Sequence, residues 1–413
     1  MTIRSALLDV VLSFSRALDL LHPAIADHHL RVAYLSATLS ETMGLGPESV
    51  QDGLIAGALH DVGTVSSPHM LSVLDQALAD YRLEGGGPGA EIHAHGEEGY
   101  QLIRHFPPFA RAAEAIRHHH VNWAFGAGAR FGGRRVTLAS HILHLADRVA
   151  VLPVADGNIL GQVSRIREII ERDADRRFRP DVVEAFGRAA DREAFWLDLV
   201  ESGKGRIIRE RFGDRTVGLD LEALEQLAHL FARVIDYRSP YTATHSTGVA
   251  ITAEALGRRL GMSSDECRLL RVAGYLHDIG KLAVPIEILD KPGPLTPGEM
   301  QRVKQHAYHT HRILSGIPGL EQITAWAALH HERLDGRGYP FRPATLPLGA
   351  RIVAVADIYT AITEDRPYRR GMEHREAFAV LSQAVQCGAL DGRVVAALAA
   401  ETDGAQQPRT AAG

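Results

Sequence analysis

Histidines and aspartates recur in one order in both halves of the chain. The first half carries His28, His60, Asp61, His95, His119, His120 and Asp147; the second carries His245, His277, Asp278, His306, His330, His331 and Asp357. The intervals repeat: 32 residues separate His28 from His60 and His245 from His277, and 24 separate His95 from His119 and His306 from His330. His120 to Asp147 is 27 and His331 to Asp357 is 26, so only the stretch from His60 to His95, 35 residues against 29 from His277 to His306, needs an insertion. This is an internal duplication. Each set offers five imidazoles and two carboxylates in apolar surroundings, a costly burial unless a cation compensates the charge. A lone histidine on an apolar helix face is ordinarily a hydrogen-bonded core residue; seven such groups recurring together point to metal. Nitrogen and carboxylate donors without thiolate suit iron, manganese, nickel or cobalt, and zinc less exclusively. Seven donors are too many for one ion and suit two ions sharing a bridging carboxylate, which together activate a water and clamp a phosphoryl group. The chemistry this predicts is phosphoester hydrolysis.

Helices must position these groups. After His245 the apolar residues Val249, Ala253, Leu256 and Leu260 follow in steps of three and four, as do Val32, Leu35, Leu39 and Met43 after His28. Strand signals are sparse, so the expected fold class is all-α, two tandem helical bundles. Residues 195–212 read as one charged helix closing the first bundle, with the joint near 213–218 and the periodicity restarting at Leu221. The expected domains are 1–212, 213–402 and a disordered tail, 403–413. A chain of 413 residues that is 46% hydrophobic and 23% charged can bury such cores. Its net charge of −5 argues against a nucleic-acid polymer as partner. Two cysteines, Cys267 and Cys387, give no disulfide framework or thiolate site. No run reaches the roughly 20 apolar residues of a membrane helix, so no membrane partner and a cytoplasmic location are expected.

The second half resembles the HD-GYP family of the HD superfamily of metal-dependent phosphohydrolases. The motif pieces occur in order over roughly residues 220–400: Tyr241-Thr242-Ala243-Thr244-His245, His277-Asp278-Ile279-Gly280-Lys281, His306, the run HHERLDGRGYP from His330 to Pro340, Asp357, and Arg366-Pro367-Tyr368-Arg369. The resemblance implies two tandem HD-type bundles and hydrolysis of a cyclic dinucleotide, chiefly cyclic di-GMP and in some members cyclic GMP-AMP, to a linear dinucleotide or mononucleotide. It implies that His245, His277, Asp278 and Asp357 hold one divalent ion and His306, His330 and His331 another, with Asp278 bridging. The ions would be iron or manganese first, with nickel, cobalt or zinc as alternatives. Lys281 would reach the substrate phosphate, Arg366 and Arg369 a phosphate or guanine edge, and Tyr339 a base. A homodimer or a signalling-protein partner is compatible with this reading.

The departures carry information too. Ser239 and Thr360 stand where the family often has aspartate, and Thr310 where it has glycine; the loss at 360 predicts weaker discrimination between guanine and adenine. Tyr241 supplies no carboxylate for a third ion, so a two-metal centre is expected. In the first half the donors His28, His60, Asp61, His95, His119, His120 and Asp147 form a possible second metal site, yet Thr64 replaces the lysine, Val121 the glutamate after the histidine pair, and Trp123-Ala124-Phe125-Gly126 the glycine-tyrosine-proline loop. That half is expected to be regulatory or structural. Gly85-Gly86-Gly87 reads as a linker, and the segment 124–135 with Arg130, Arg134 and Arg135 as a solvated loop. His22, His29, His93, His118, His141 and His144 fall off the repeat register and read as supporting or surface groups. Two other functions fit less of the sequence: a module that senses a cyclic dinucleotide without turnover, disfavoured by the full donor set, and a general nucleotide phosphohydrolase, disfavoured by the GYP and RPYR segments.

Overall fold

Helices build both halves, as the periodicity predicts. In the computed structural model the chain divides into two units, one of Ala6–Gly218 and one of Leu219 onward together with Ser5; the structure describes residues 5–21, 27–65, 93–154, 157–213, 218–238, 244–365 and 370–406. Strands among the described residues are two residues long. No helix among them is long and apolar enough to cross a membrane.

The first unit runs α1 Leu7–Asp19, α2 His28–Thr42, α3 Pro47–Leu59, α4 Ala94–Ile103, α5 Ala110–Arg117, α6 Leu138–Val151, α7 Val163–Arg172, α8 Pro180–Ala190, α9 Glu193–Val200 and α10 Lys204–Phe212. The second runs α11 Leu221–Tyr237, α12 His245–Arg259, α13 Ser264–Leu276, α14 Ile286–Leu289, α15 Pro297–Leu314, α16 Glu321–Ala328, α17 Leu348–Thr363, α18 His374–Gln386 and α19 Gly392–Gln406. Sequence sets several of these starts. Ser263 with Glu266, and Thr296 with Glu299, form capping boxes at α13 and α15, which satisfy amide groups that a helix start leaves unpaired.

Two glycines per unit fix how closely the site-bearing helices approach. A Cβ on Gly57 would lie 2.5 Å from the Ala33 Cα, and one on Gly274 would lie 2.6 Å from the Ala250 Cα, so α2 packs on α3 as α12 packs on α13. A Cβ on Gly63 would meet the His95 carbonyl oxygen at 2.1 Å, and one on Gly280 the His306 carbonyl oxygen at 2.0 Å. The turn after each His-Asp pair is thus wedged against the helix that carries the next histidine.

Two local expectations change, and one turn was not foreseen. The segment 195–212 is two helices, broken where Gly203 adopts φ 90°, a left-handed conformation that costs glycine little. The helix carrying His277 stops there, and residues Ile279–Ala283 form a 3₁₀ turn. Lys281 still lands beside Asp278, because residues three apart eclipse in that geometry. Finally, α19 continues to Gln406, past Asp403 where the tail was expected to begin. Ser239, Tyr241, His22, Gly85–Gly87 and residues 407–413 lie outside the described residues.

Substituting Gly280 with alanine should force the turn off α15 and lower the melting temperature. Overpacking of this kind costs about 1–3 kcal/mol, at roughly 2–4 °C per kcal/mol for a domain of this size. An unchanged Tm in Gly280→Ala, read by calorimetry, would contradict the wedge.

Candidate metal centres

In the second unit each histidine is placed by a helix end or a helix face. His245 opens α12, and Asp236 of α11 latches that end by accepting from the Ser246 amide at 3.2 Å and its hydroxyl at 2.7 Å. His277 ends α13, His306 faces inward from α15, His330 and His331 follow α16, and Asp357 lies on α17. His277 donates Nδ1–H to Gly274 O at 2.7 Å, His306 to Val303 O at 2.6 Å and His330 to Ala327 O at 2.6 Å. His277 and His330 thereby use carbonyls that the last helical turn leaves without an amide. This assigns the proton to Nδ1 and turns each Nε2 lone pair inward.

Those lone pairs face one another and the carboxylates. His306 Nε2 and His330 Nε2 stand 3.3 Å apart; His277 Nε2, with no hydrogen-bond partner, lies 3.2 Å from Asp278 Oδ2 and 3.8 Å from Asp357 Oδ1. Asp278 spans two groups of rings. Its Oδ2 lies toward His277 and, at 3.8 Å, His245, while its Oδ1 lies 3.5 Å from His306. The donors His306, His330 and His331 lie within 4.8 Å of one another, and so do His245, His277 and Asp357. Facing lone pairs and carboxylates in a buried site repel unless cations lie between them. The arrangement fits divalent metal ions.

Electrostatics agree with shared positive charge. Burial alone would raise the Asp278 carboxyl, but His277, Lys281 and His306 outweigh it and hold the group well below the usual carboxylate range. Burial pushes His306 down to about 3, and burial with the neighbouring His331 and His277 pushes His330 well down. His245 goes the other way. Burial lowers it, but hydrogen bonding to Asp357 and Glu364 carries it up to about 9.

The surroundings were only partly anticipated. Lys281 Nζ donates to Asp278 Oδ2 at 2.5 Å, and the buried Arg238 holds the turn beneath it through the carbonyls of Lys281, Leu282 and Val284 at 2.9, 2.5 and 2.7 Å. Thr310 ties the same turn to α15, donating to His277 O at 2.9 Å and accepting from the Gly280 amide at 3.1 Å. Glu332 folds the loop after the histidine pair: its Oε1 accepts from the amides of Phe341 at 2.6 Å and Arg342 at 2.9 Å. The loop lays Tyr339 on His331, with ring centroids 4.8 Å apart, and Lys304 Nζ lies 5.1 Å from the same ring. The tyrosine expected to stack on a base thus also lies against a histidine. Thr360 is 5% exposed, and a Cβ on Gly248 would come within 2.8 Å of its methyl. It lies on α17 and packs against α12. Glu364, one turn further on, lies 3.4 Å from His245 Nδ1. Arg366 and Arg369 lie outside the described residues.

The first unit repeats the inner geometry. His60 donates Nδ1–H to Gly57 O at 2.9 Å and His119 to Ile116 O at 2.6 Å. The Nε2 atoms of His28 and His60 are 3.3 Å apart, as are those of His95 and His119, and His120 Nε2 is 3.1 Å from His95 Nε2. Asp61 spans the rings as Asp278 does, Oδ2 at 3.1 Å from His60 and Oδ1 at 3.4 Å from His95. Asp147 Oδ1 faces His28 at 3.2 Å, and its Oδ2 accepts from Arg148 Nη2 at 2.5 Å. The donor set here also fits divalent ions. The outer shell differs: Thr64 Oγ1 turns back onto Asp61 O at 2.7 Å, and Val121 has no carboxylate to fold a loop. The amides of Trp123, Ala124 and Phe125 instead bond the carbonyls of Arg177, Arg176 and Asp175. His93 and His118 pack on Phe131, His141 on Trp123, and His144 donates to Val121 O at 3.2 Å. His29 is the exception among the histidines off the repeat: it bonds Asp19, the counterpart of Asp236, at 2.5 Å. Asp19 and Asp236 each stand nine residues before the first histidine of their set, a spacing that could have revealed them.

Comparison with known proteins follows the same division. Residues 229–394 and residues 25–152 each match a family model described as an HD domain. The chain is 30% identical over 392 residues to 3'3'-cGAMP-specific phosphodiesterase 1 of Vibrio cholerae serotype O1, covering 92% of this chain and 88% of that one. It is 35% identical over 224 residues to 3'3'-cGAMP-specific phosphodiesterase 3 of the same organism, covering 54% and 48%. It is 41% identical over 161 residues to the cyclic di-GMP phosphodiesterase response regulator RpfG of Xanthomonas campestris pv. campestris, covering 38% and 42%. A crystal structure of a cyclic GMP-AMP specific phosphodiesterase from V. cholerae shares the fold, with a TM-score of 0.66 at 24% identity over 98% of this chain and 99% of that one.

Removing the carboxylate that spans the rings should empty the second centre. Asp278→Ala is expected to lower bound metal, measured by mass spectrometry, by the amount that second centre contributes, while Lys281→Ala keeps it. Full metal content in Asp278→Ala would contradict the bridging geometry.

Proposed function

The chain belongs to the HD-GYP family of HD-domain phosphodiesterases, and from that membership we propose that its second unit hydrolyses a cyclic dinucleotide, cyclic di-GMP or 3',3'-cyclic GMP-AMP. The observation that carries this reading is the inward set of Nε2 lone pairs spanned by Asp278, with Lys281 at its edge. His245, His277, Asp278 and Asp357 would hold one ion, and His306, His330 and His331 the second, with Asp278 shared. Iron or manganese suits this donor set best. Such a pair of ions supplies acidified water and neutralises charge developing on the phosphoryl oxygens.

The protein's own groups do the rest. The Nδ1–H bonds to backbone carbonyls hold the rings in one orientation, so no reorganisation is needed during reaction. Lys281 places a point charge at the wall of the site, where a phosphate oxygen can exchange for the Asp278 contact. Arg238 and Thr310 keep that lysine's turn against α15. Glu332, through the folded loop, sets Tyr339 against His331. Hydrolysis forms one P–O bond to the water oxygen and breaks the P–O bond to a ribose, giving the linear dinucleotide, and a second cycle gives mononucleotides. A relative named for 3'3'-cGAMP that aligns over most of both chains favours the mixed nucleotide as a substrate alongside cyclic di-GMP.

In the first unit the same donors persist without a lysine or a loop-folding glutamate. We therefore assign it a metal-binding role in regulation or structure, with turnover of the cyclic dinucleotide left to the second unit. The residues 213–402 would form the catalytic domain.

Metal-loaded protein should convert both cyclic dinucleotides to linear product, resolved by chromatography, and Lys281→Ala should keep its metals yet lose at least about tenfold in rate, the scale of one charge-assisted contact. A fully metallated protein that opens neither ring would overturn the assignment. His60→Ala/Asp61→Ala in the full chain should lose first-unit metal and retain turnover. If it loses all activity while the second centre stays metallated, the first unit takes part in catalysis.

A further inference from the structure

The first centre holds an imidazole that the second lacks. His29 follows His28 at the start of α2 and is 1% exposed. Its counterpart in the second unit is Ser246, which spends its hydroxyl on Asp236. His29 makes the equivalent bond to Asp19, Nδ1–H donating to Oδ1 at 2.5 Å, but its ring continues inward. Its Nε2 is buried, has no hydrogen-bond partner and lies 3.8 Å from Asp61 Oδ2. The ring centroid is 5.2 Å from that of His60 and 5.7 Å from that of His28.

With the proton on Nδ1, Nε2 presents a lone pair to a carboxylate oxygen, an arrangement that repels unless a cation joins the two. Donors bound at about 2.1 Å to one ion stand roughly 3–4 Å apart, which the 3.8 Å separation meets. A carboxylate on the outer nitrogen of a ring whose inner nitrogen is otherwise idle is the usual support of a metal-binding histidine. The position is also telling: Asp61 Oδ2 is the oxygen equivalent to Asp278 Oδ2, which in the second unit carries Lys281.

We infer that His29, oriented by Asp19, is an additional metal ligand of the first centre, so that the two centres hold their ions with different donor sets. The inference rests on the reading that the first centre binds metal. Six imidazoles and two carboxylates make that centre richer in nitrogen than the second. It should prefer the later divalent ions, cobalt, nickel and zinc, over manganese more strongly than the second centre does. His29 thus stands near the carboxylate oxygen whose counterpart in the second unit carries Lys281.

The test uses the full chain in an Asp278→Ala background, to clear the second centre, with Co²⁺ as the probe. Binding is followed by visible absorption and by X-ray absorption at the cobalt edge. His29→Ser, which copies the Ser246 arrangement, should weaken Co²⁺ binding at least tenfold, shift the absorption bands and reduce the average number of nitrogen donors. Asp19→Asn should weaken it by about 10-fold to 100-fold, as expected for loss of a supporting carboxylate. Circular dichroism of each variant establishes that it is folded, and Asp19→Asn carries the test if His29→Ser is not. Unchanged affinity and spectra in both variants, while His60→Ala/Asp61→Ala abolishes binding, would overturn the role of His29 alone. If His60→Ala/Asp61→Ala binds as much Co²⁺ as its parent, the first centre is not a metal site and both readings fall.

Discussion

A histidine's outer nitrogen bonded to the carbonyl three residues before it is the interaction from which the rest of this structure follows. It occurs at His60 and His119 in the first unit and at His277, His306 and His330 in the second. Each bond fixes a ring orientation and a tautomer at once, and at most of these positions it also fills a carbonyl that a helix end would otherwise leave unpaired. The consequence is a buried region where acceptors face acceptors. Helix packing alone does not favour that arrangement, so the fold holds ready a charge deficit that cations resolve. The glycines at 57, 63, 274 and 280 serve the same end, because they let the helices approach until the rings from different elements are a few ångströms apart.

The two units share this inner frame and differ in what is built on it. In the second, Glu332 accepts two amides and so folds a loop over His331; in the first, Val121 stands in its place and the following segment bonds to residues 175–177 instead. Arg238 supports the turn of Lys281, whereas the corresponding positions in the first unit are Leu21 and Thr64. The two units thus share the inner donors and differ in the groups around them, which decide what can bind.

Much of this was legible in the sequence. Apolar steps of three and four gave the helices, and the repeated intervals gave both donor sets, because the spacing between side chains on rigid helices is fixed by helix geometry. Groups acting through backbone atoms were harder to see. Glu332 and Arg238 earn their roles from amides and carbonyls that any residue would supply, so no partner residue type marks them. Thr360 stands where the resembling family often has aspartate, and only the structure shows how closely α12 approaches it at Gly248. The break at Gly203 was obscured by charge on both sides of it. Asp19 and Asp236 were within reach, since their spacing repeats, but carboxylates nine residues from a ligand carry no motif of their own.

The proposed chemistry depends most on Asp278 joining two ions. Crystals of the full-length protein grown with Mn²⁺ and measured at the manganese absorption edge test this directly. Two anomalous peaks about 3.5–4 Å apart, one on each side of the Asp278 carboxylate, are the predicted result. A single peak, or none, at the second centre, with the Asp278 side chain ordered and Mn²⁺ in excess, would contradict it.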